Sequence, residues 1–363
     1  MKKALGALAL VVLAAGAAGA WYLTRSHTTR SDSPSYPKDW DARVTDLVRF
    51  VETERGLTFK HPVAVEFMQD SDFEARVKTP KAEAAKDRAE FERFAGELRA
   101  LGLLEGKPDL LDAQNELVSK SLAGLYVAKE KTLFVRGITT TPFVRSILAH
   151  ELTHALQDQH FDIDALRKRA PAGAGVATTA LIEGDAVRVQ EAYARQLSDG
   201  DKATFAKEEL AAKRLAQSTR DVPQVMQDLL RFPYAFGPTY VDALTTHGGT
   251  SGIDAAFRSP PVSEAQVLDP RGYQLGYKPQ AVTDPALPTG AKALDKPAAF
   301  GQFSLFEVLG VQLGRTRAWA AVTGWSGDRY VSYQLRRRTC LAITVRMSDQ
   351  PRAKALEAAF REW

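Results

Sequence analysis

Two histidines four positions apart, His150 and His154, place the strongest single constraint on how this chain folds. Residues four apart lie on one face of an α-helix, so both imidazoles reach the same point only if this segment is helical. The flanking sequence predicts a helix from Pro142 to about Gln159, with Thr141 as its N-cap and proline at the first helical position. We therefore expect an ion-binding histidine pair on one helix face.

Glu151 completes the pattern His150-Glu151-Leu152-Thr153-His154. Its side chain leaves the helix about 100° around the axis from the first imidazole, close to a bound ion without replacing a ligand. Zinc lowers the pKa of a bound water to about 7, and a neighbouring carboxylate can take the proton when that water attacks a carbonyl carbon. In a chain with six histidines, a chance match is on the order of one in a hundred. The pattern predicts a zinc-dependent hydrolase with Glu151 as general base.

The segment from Ala149 to Ala155 resembles the zincin metallopeptidases, and among them the branch called gluzincins. The resemblance implies a zinc peptidase of α+β fold that hydrolyses peptide bonds of a peptide or protein substrate. It also implies a third zinc ligand, a glutamate on a later helix, and Glu183 lies in a segment similar to the Asn-Glu-Gly segment of several families. Further along, the chain is similar to uncharacterised exported bacterial proteins of metallopeptidase type, in Phe232-Pro233-Tyr234 and in Gly324-Trp325-Ser326-Gly327-Asp328-Arg329-Tyr330.

His160 is a rival third ligand, because its spacing fits the metzincin pattern HExxHxxGxxH. That pattern needs glycine at the position held here by Gln157, since the chain must turn sharply to bring back the third histidine. On a continuing helix, His160 lies about 240° around the axis from His154 and faces away from the ion. We therefore predict that Glu183 completes the zinc ligands.

A carboxylate that accepts the second N–H of a ligating imidazole fixes the orientation of the ring. We expect Asp185 in this role; Asp158 is the next candidate, and a solvated residue at the helix end is an equal alternative for it. Gluzincins often carry this aspartate four residues after the third ligand, where the present chain has Val187.

The oxyanion formed in hydrolysis needs a hydrogen-bond donor beside the metal. In the gluzincin branch this donor is a tyrosine or histidine from the downstream lobe. Tyr234 is the first choice for this catalytic role here, and Tyr240 and His247 are the alternatives.

The N-terminus has the features of an export signal. Lys2 and Lys3 precede an apolar stretch of small residues from Ala4 to about Leu23. Residues 1–24 predict either a cleaved signal peptide or an uncleaved membrane anchor, and residues 25–38 predict a flexible polar linker. In both cases we expect the rest of the protein to be extracytoplasmic: periplasmic, secreted or membrane-anchored and facing outward.

The remaining sequence predicts one α+β unit with two lobes. We expect a zincin-like catalytic domain over residues 39–250, with a small sheet lobe before the zinc helix and a mainly helical lobe that carries Glu183. Residues 251–363 form a mixed extension packed on it. Strands are predicted at 61–67, 123–127, 132–135, 329–335 and 340–346. Further helices are predicted around 44–51, where apolar residues recur at helical spacing, and at 81–104, 176–197, 203–217, 222–231, 236–246, 302–313 and from 351. The hairpin of 123–127 and 132–135 either presents an edge to an extended peptide or is an ordinary internal pair.

Net charge and cysteine content argue against a nucleic-acid-binding protein and against a disulfide-stabilised one. The net charge is +4, and removal of Lys2 and Lys3 on export leaves +2, too little to indicate a nucleic-acid partner. Cys340 is the single cysteine, so no internal disulfide stabilises the chain.

Two other functions share the predicted ligands. A non-catalytic zincin-like binding or scaffold protein of the envelope would keep the ion for stability, although such a site does not need Glu151. A zinc amidase acting on cell-wall material would use the same attacking chemistry, and nothing in these residues distinguishes it from a peptidase.

Overall fold

The computed structural model of the chain describes residues 36–78, 84–218 and 222–363. The predicted signal peptide or anchor at residues 1–24, and the linker up to residue 35, lie outside the described residues. Within the described ranges, no helix is both long enough and apolar enough to cross a membrane.

A small three-stranded sheet lies in the N-terminal part of the fold, with strand order β1–β3–β2. The elements of this part are α1 (Thr45–Arg55), β1 (Ala64–Met68), α2 (Asp70–Val77), α3 (Ala84–Ala100), α4 (Leu110–Ser121), β2 (Gly124–Val127) and β3 (Thr132–Arg136). Strands β2 and β3 form the predicted antiparallel hairpin, in which Leu125 pairs with Phe134. β1 pairs in parallel with β3, and a parallel pair needs a long crossover. The chain from α2 to α4 is part of that crossover, and α2 and α4 are helices that the sequence analysis does not predict.

The sheet leads into helices that carry the predicted ligands. These are α5 (Pro142–Phe161), α6 (Ile163–Arg169) and α7 (Gly175–Arg195), followed by α8 (Asp199–Gln217) and α9 (Gln224–Gly248). The predicted N-cap of α5 is confirmed, because the Thr141 side chain accepts a hydrogen bond from the N–H of Val144. Asp162 ends α5 with a positive φ of 52°, and its carboxylate then accepts a 2.9 Å hydrogen bond from the N–H of Ala165 in α6. The break at Asp162 lets α7 return against α5.

Helix α9 differs from the prediction. Two helices at 222–231 and 236–246 are expected, and this is wrong, because α9 continues through Pro233 and Pro238. Each proline removes an N–H donor and crowds the preceding turn, which destabilises a helix in isolation. α9 packs closely along α7, and this tertiary contact outweighs the local cost.

The C-terminal part is mixed, as predicted. Its elements are α10 (Thr250–Arg258), α11 (Glu264–Leu268), α12 (Pro270–Gln274), β4 (Lys292–Ala293), α13 (Gln302–Leu313), α14 (Arg315–Val322), β5 (Trp325–Leu335), β6 (Arg338–Met347) and α15 (Gln350–Glu362). The strands form an antiparallel sheet in the order β4–β5–β6. Arg336 and Arg337, both with positive φ, make the two-residue turn between β5 and β6.

One main hydrophobic core joins the two ends of the described chain. It includes Val44 at the start of α1 and Ala359 in α15, together with Leu148 and Leu152 of α5 and Ile182 of α7. The α+β class is confirmed, with helices as the predominant structure. Residues on both sides of position 250 thus support the helices of the candidate site.

Candidate metal centre

The two motif histidines lie on one face of α5. The Nε2 atoms of His150 and His154 are 3.0 Å apart, and their ring planes stand at 86° to each other. The side chains are 2% and 10% exposed. The helix therefore brings both imidazoles to one buried point, as its four-residue spacing requires.

Glu183 of α7 reaches the same point. Its Oε2 atom lies 3.3 Å from the Nε2 atom of each histidine, so the three atoms form a nearly equilateral triangle. Ligand atoms that surround zinc tetrahedrally at about 2.0–2.1 Å stand about 3.3 Å apart, which is the size of this triangle. Oε2 of Glu183 and Nδ1 of His150 are buried and make no hydrogen bond within the described part of the chain. Two imidazoles and one carboxylate are a donor set that catalytic zinc accepts, so these residues fit the metal.

The charges at this point show why a cation is favoured there. Burial alone would lower the pKa of His154, but the carboxylates of Glu183 and Glu151 outweigh it and raise that pKa to about 9. Burial would raise the pKa of Glu183, yet the two imidazoles hold it well below its ordinary value. The pocket of carboxylates thus attracts positive charge, which a proton on the imidazole or a metal ion can supply.

Gln157 orients His154, one helical turn further along α5. Its Oε1 atom lies 3.0 Å from Nδ1 of His154, and its amide nitrogen donates to Oδ2 of Asp185 at 2.9 Å. The same nitrogen also donates to the carbonyl of Ile182 at 3.0 Å. The expectation that Asp185 accepts directly from a ligating imidazole is therefore wrong. The amide stands between them because it can accept from the ring with one end and donate to the carboxylate with the other.

Arg55 of α1 holds the far side of Asp185. Its Nε lies 2.8 Å from Oδ2 of Asp185 and its Nη2 2.9 Å from Oδ1 of Asp254, and the guanidinium is completely buried. A buried carboxylate is costly unless it is paired, and Arg55 supplies the opposite charge. The chain of contacts from Arg55 through Asp185 and Gln157 to His154 thus crosses three helices.

Asp158, the second candidate for orienting a ligand, has a different environment. Its Oδ2 atom accepts from the hydroxyl of Tyr126 at 2.8 Å and from Nζ of Lys131 at 2.5 Å. The expectation that it orients a histidine is wrong, because it fastens α5 to the β2–β3 hairpin instead. His160, the rival ligand, lies near the end of α5, where its Nε2 contacts the carbonyl of Thr58 at 2.9 Å. It is not part of the group of three.

Glu151 is held beside the histidines by strand β2. Its Oε2 atom accepts a 2.8 Å hydrogen bond from the N–H of Tyr126, and the residue is 5% exposed. Gly124 permits this approach: a Cβ there would lie 2.7 Å from Cγ2 of Ile147 and 3.0 Å from Cγ of Glu151. Glycine thus occupies the point where the strand backbone comes closest to the helix that carries the candidate base.

Tyr234 of α9 lies near the carboxylates of this group. Its side chain is buried, and its hydroxyl has no hydrogen-bond partner among the residues that the structure describes. Burial raises the pKa of the phenol well above its ordinary value, and the charges of Glu183 and Glu151 raise it further. Tyr234 therefore stays protonated, and its hydroxyl lies close to the Glu183 carboxylate without an aligned hydrogen bond to any described residue.

The position of Tyr234 depends on a close helix crossing. A Cβ on Gly184 would lie 2.4 Å from the backbone of Gly237, so α7 and α9 approach each other here through two glycines. Gly184 directly follows Glu183, and Gly237 lies three residues after Tyr234. Of the alternatives, Tyr240 packs against Tyr273 with ring centroids 5.4 Å apart, and the side chain of His247 lies outside what the structure describes.

Strand β2 forms an edge of its sheet, but the strand is buried along its length. The N–H of Tyr126, which faces away from β3, is already used by Glu151. Binding of an extended peptide at this edge stays a prediction.

No protein-family model, curated protein or solved structure matches this chain.

Proposed function

We propose that this protein is an exported, zinc-dependent peptidase of the gluzincin type, with His150, His154 and Glu183 as the metal ligands. The observation that carries the proposal is the buried triangle of two imidazole nitrogens and one carboxylate oxygen, with sides of 3.0, 3.3 and 3.3 Å. The order of elements agrees with the proposal: a strand hairpin, the helix with the HExxH pattern, and an adjoining helix that supplies the glutamate.

A bound zinc ion supplies Lewis-acid chemistry, which makes water acidic near neutral pH and polarises the carbonyl of the scissile bond. Glu151 acts as general base and takes the proton of the attacking water. Because Oε2 of Glu151 accepts from Tyr126, the carboxylate is held in one orientation and Oε1 remains to receive that proton. Glu151 then returns the proton to the nitrogen of the leaving amine.

Tyr234 donates a hydrogen bond to the oxyanion that develops on the former carbonyl oxygen. Its hydroxyl is buried and makes no aligned hydrogen bond among the described residues, and the Glu183 carboxylate close to it would be engaged by the metal. A donor that is already in position in a water-poor site stabilises this charge far more than one in bulk water.

The proposed location is extracytoplasmic, as a periplasmic or secreted protein or one anchored by residues 1–24. Its support is the sequence of the N-terminus, with two lysines before a long apolar stretch.

A second function, a non-catalytic zinc-stabilised envelope protein, is favoured by one observation. The three ligand side chains are only 2%, 10% and 5% exposed, so little of the candidate site reaches solvent. Glu151 favours the peptidase, because a closed structural site has no use for a buried carboxylate beside its ligands.

One experiment separates the two functions. The full chain is purified, its zinc content measured, and a broad peptide library digested with the protein, with a chelator, and with zinc restored after chelation. The peptidase predicts about one zinc per chain and cleavage that is lost and regained with the metal. Zinc without any cleavage would identify the stabilising role, and a parallel digestion of cell-wall fragments tests the amidase. A protein that binds no zinc would refute both assignments.

A further inference from the structure

Arg167 of α6 points its guanidinium at the candidate metal centre. Its side chain is 6% exposed, and its Nη2 atom lies 3.9 Å from Oε1 of Glu183. Nε and Nη1 of Arg167 are buried and make no hydrogen bond with any residue that the structure describes. The positive charge of Arg167 also acts on the nearby hydroxyl of Tyr234, lowering its pKa against the larger effect of burial.

The contact with Glu183 does not satisfy this guanidinium. A charge-assisted N–H···O bond spans about 2.7–2.9 Å, so a separation of 3.9 Å is attraction without a hydrogen bond. The other oxygen of Glu183 faces the two histidines. A cation bound there would be attracted by the same carboxylate, which leaves less of its negative charge for Arg167. A guanidinium carries five donors in a planar fork that matches a carboxylate, and leaving such donors buried without an acceptor is costly.

We infer that Arg167 binds a carboxylate of the substrate next to the scissile bond; this inference rests on the proposed peptidase function. Glu183 and Glu151 balance a divalent cation, and Asp164 also attracts Arg167, yet Nε and Nη1 of Arg167 still lack acceptors among the described residues. A substrate carboxylate gives these two N–H groups their acceptors.

Distance selects which carboxylates qualify. Consecutive residues of a peptide are about 3.8 Å apart, and Nη2 of Arg167 lies 3.9 Å from Oε1 of the candidate ligand Glu183. The carboxylate therefore belongs to a residue next to the scissile bond, either as the free C-terminus of the residue after it or as an acidic side chain. The free C-terminus makes the enzyme a carboxypeptidase, and the side chain makes it an endopeptidase that prefers acidic residues at that position.

The test measures binding apart from turnover. The zinc-loaded full chain with Glu151→Gln is titrated calorimetrically with an N-acetylated tetra-alanine peptide as free acid and as C-terminal amide. A second pair of C-terminal amides carries glutamate or glutamine at one internal position. We expect one carboxylate-bearing peptide to bind about tenfold to a hundredfold more tightly than its neutral counterpart. The peptide pair that shows this affinity ratio tells whether Arg167 binds a free C-terminus or an acidic side chain.

Arg167→Gln in the same background should reduce this ratio to about one, and Arg167→Lys should keep part of it, since lysine keeps the charge but not the fork. Arg169→Gln removes an equal charge from an exposed position of the same helix and should leave the ratio unchanged. Zinc content and thermal unfolding verify that each variant is folded. The inference would be overturned by affinity ratios near one for both peptide pairs, or by a ratio that Arg167→Gln leaves unchanged. Absence of binding at millimolar peptide would overturn it as well. Absence of peptide cleavage by the unsubstituted protein, with the ratio intact, counts against the proposed function only.

Discussion

The N–H of Tyr126 on strand β2 donates a 2.8 Å hydrogen bond to Oε2 of Glu151 on helix α5. A sheet edge thus holds the one carboxylate that follows the first motif histidine, and it does so through the backbone. Any residue except proline at position 126 can make this bond, so its geometry depends on how the strand lies on the helix. Gly124, two residues earlier in the strand, permits this close approach because it has no Cβ to contact α5.

Replacing Glu151 with glutamine separates chemistry from structure. The glutamine side chain cannot take a proton, but its carbonyl oxygen still accepts from Tyr126, so we expect the fold and zinc content to persist. Peptidase activity should fall by about 10²- to 10⁴-fold, the usual contribution of a general base. The checks are kcat/KM on a cleaved peptide and zinc per chain. Glu66→Gln, at an exposed position of β1, is the matched control and should keep full activity. Full activity of Glu151→Gln would exclude the proposed mechanism.

Removing the Gln157 amide should weaken metal binding. Gln157→Ala leaves Nδ1 of His154 and Oδ2 of Asp185 without their shared partner, and loss of such outer contacts lowers metal affinity about 10- to 100-fold. Competition with a chelating dye measures the change. Gln190→Ala removes another buried amide, which contacts Ser146 at 3.4 Å, and should leave zinc affinity unchanged. Equal loss of affinity in both variants would mean that the effect is one of general stability.

A methyl group at the α7–α9 crossing should disturb the fold and the candidate oxyanion donor together. In Gly184→Ala the new Cβ lies 2.4 Å from the Gly237 backbone, so the helices must separate. We expect a loss of about 1–3 kcal/mol in the free energy of unfolding, measured by urea denaturation. Activity of the folded fraction should also fall, because Tyr234 moves with α9. Gly310→Ala in α13 meets no atom within 4 Å and should be neutral or slightly stabilising. Unchanged stability in Gly184→Ala would show that the crossing has room.

Glu264 should make stability depend on pH. Burial raises the pKa of this carboxyl from 4.5 to about 8, although the N–H of Phe303 partly opposes the shift. The folded protein therefore keeps a proton between pH 4.5 and 8 that the unfolded chain has lost, so the free energy of unfolding falls as pH rises through this window. The loss is on the order of a few kcal/mol.

Glu264→Gln tests this dependence, since glutamine cannot ionise and can still accept from Phe303. Urea denaturation at pH 5 and pH 8 should show a smaller loss of stability in the variant than in the unsubstituted protein. Glu66→Gln should follow the unsubstituted protein. Parallel pH profiles for the unsubstituted protein and Glu264→Gln would show that the carboxyl ionises without cost.

The predicted structure agrees with the observed one where a local pattern decides it. The N-cap at Thr141, the helix over the HExxH pattern and the hairpin of β2 and β3 depend on neighbours in sequence, and all three are present. Pro233 and Pro238 mislead for the same reason: a local rule breaks the helix, whereas contact with α7 maintains it.

In the candidate site, too, some residues are predictable from local sequence and others only from tertiary contacts. His150, Glu151 and His154 follow from spacing alone, and Glu183 enters through resemblance to a motif. Gln157 is hidden in the sequence because its value lies in joining a histidine to an aspartate on another helix. Arg167 is equally hidden, since an arginine two residues before the end of α6 is expected to be a helix-terminal charge until its burial beside Glu183 is seen.

By itself the sequence determined which atoms are available: two imidazoles one helical turn apart, a carboxylate beside them, and a glutamate further along. Helical periodicity is a property of the backbone, so this much needs no knowledge of the fold. Only the tertiary structure decided which groups meet: Glu183 with the histidines, Tyr126 with Glu151, Asp185 with Gln157 and Arg55. Those contacts arise from packing between distant segments, where burial and close helix approach, and not sequence spacing, set the distances.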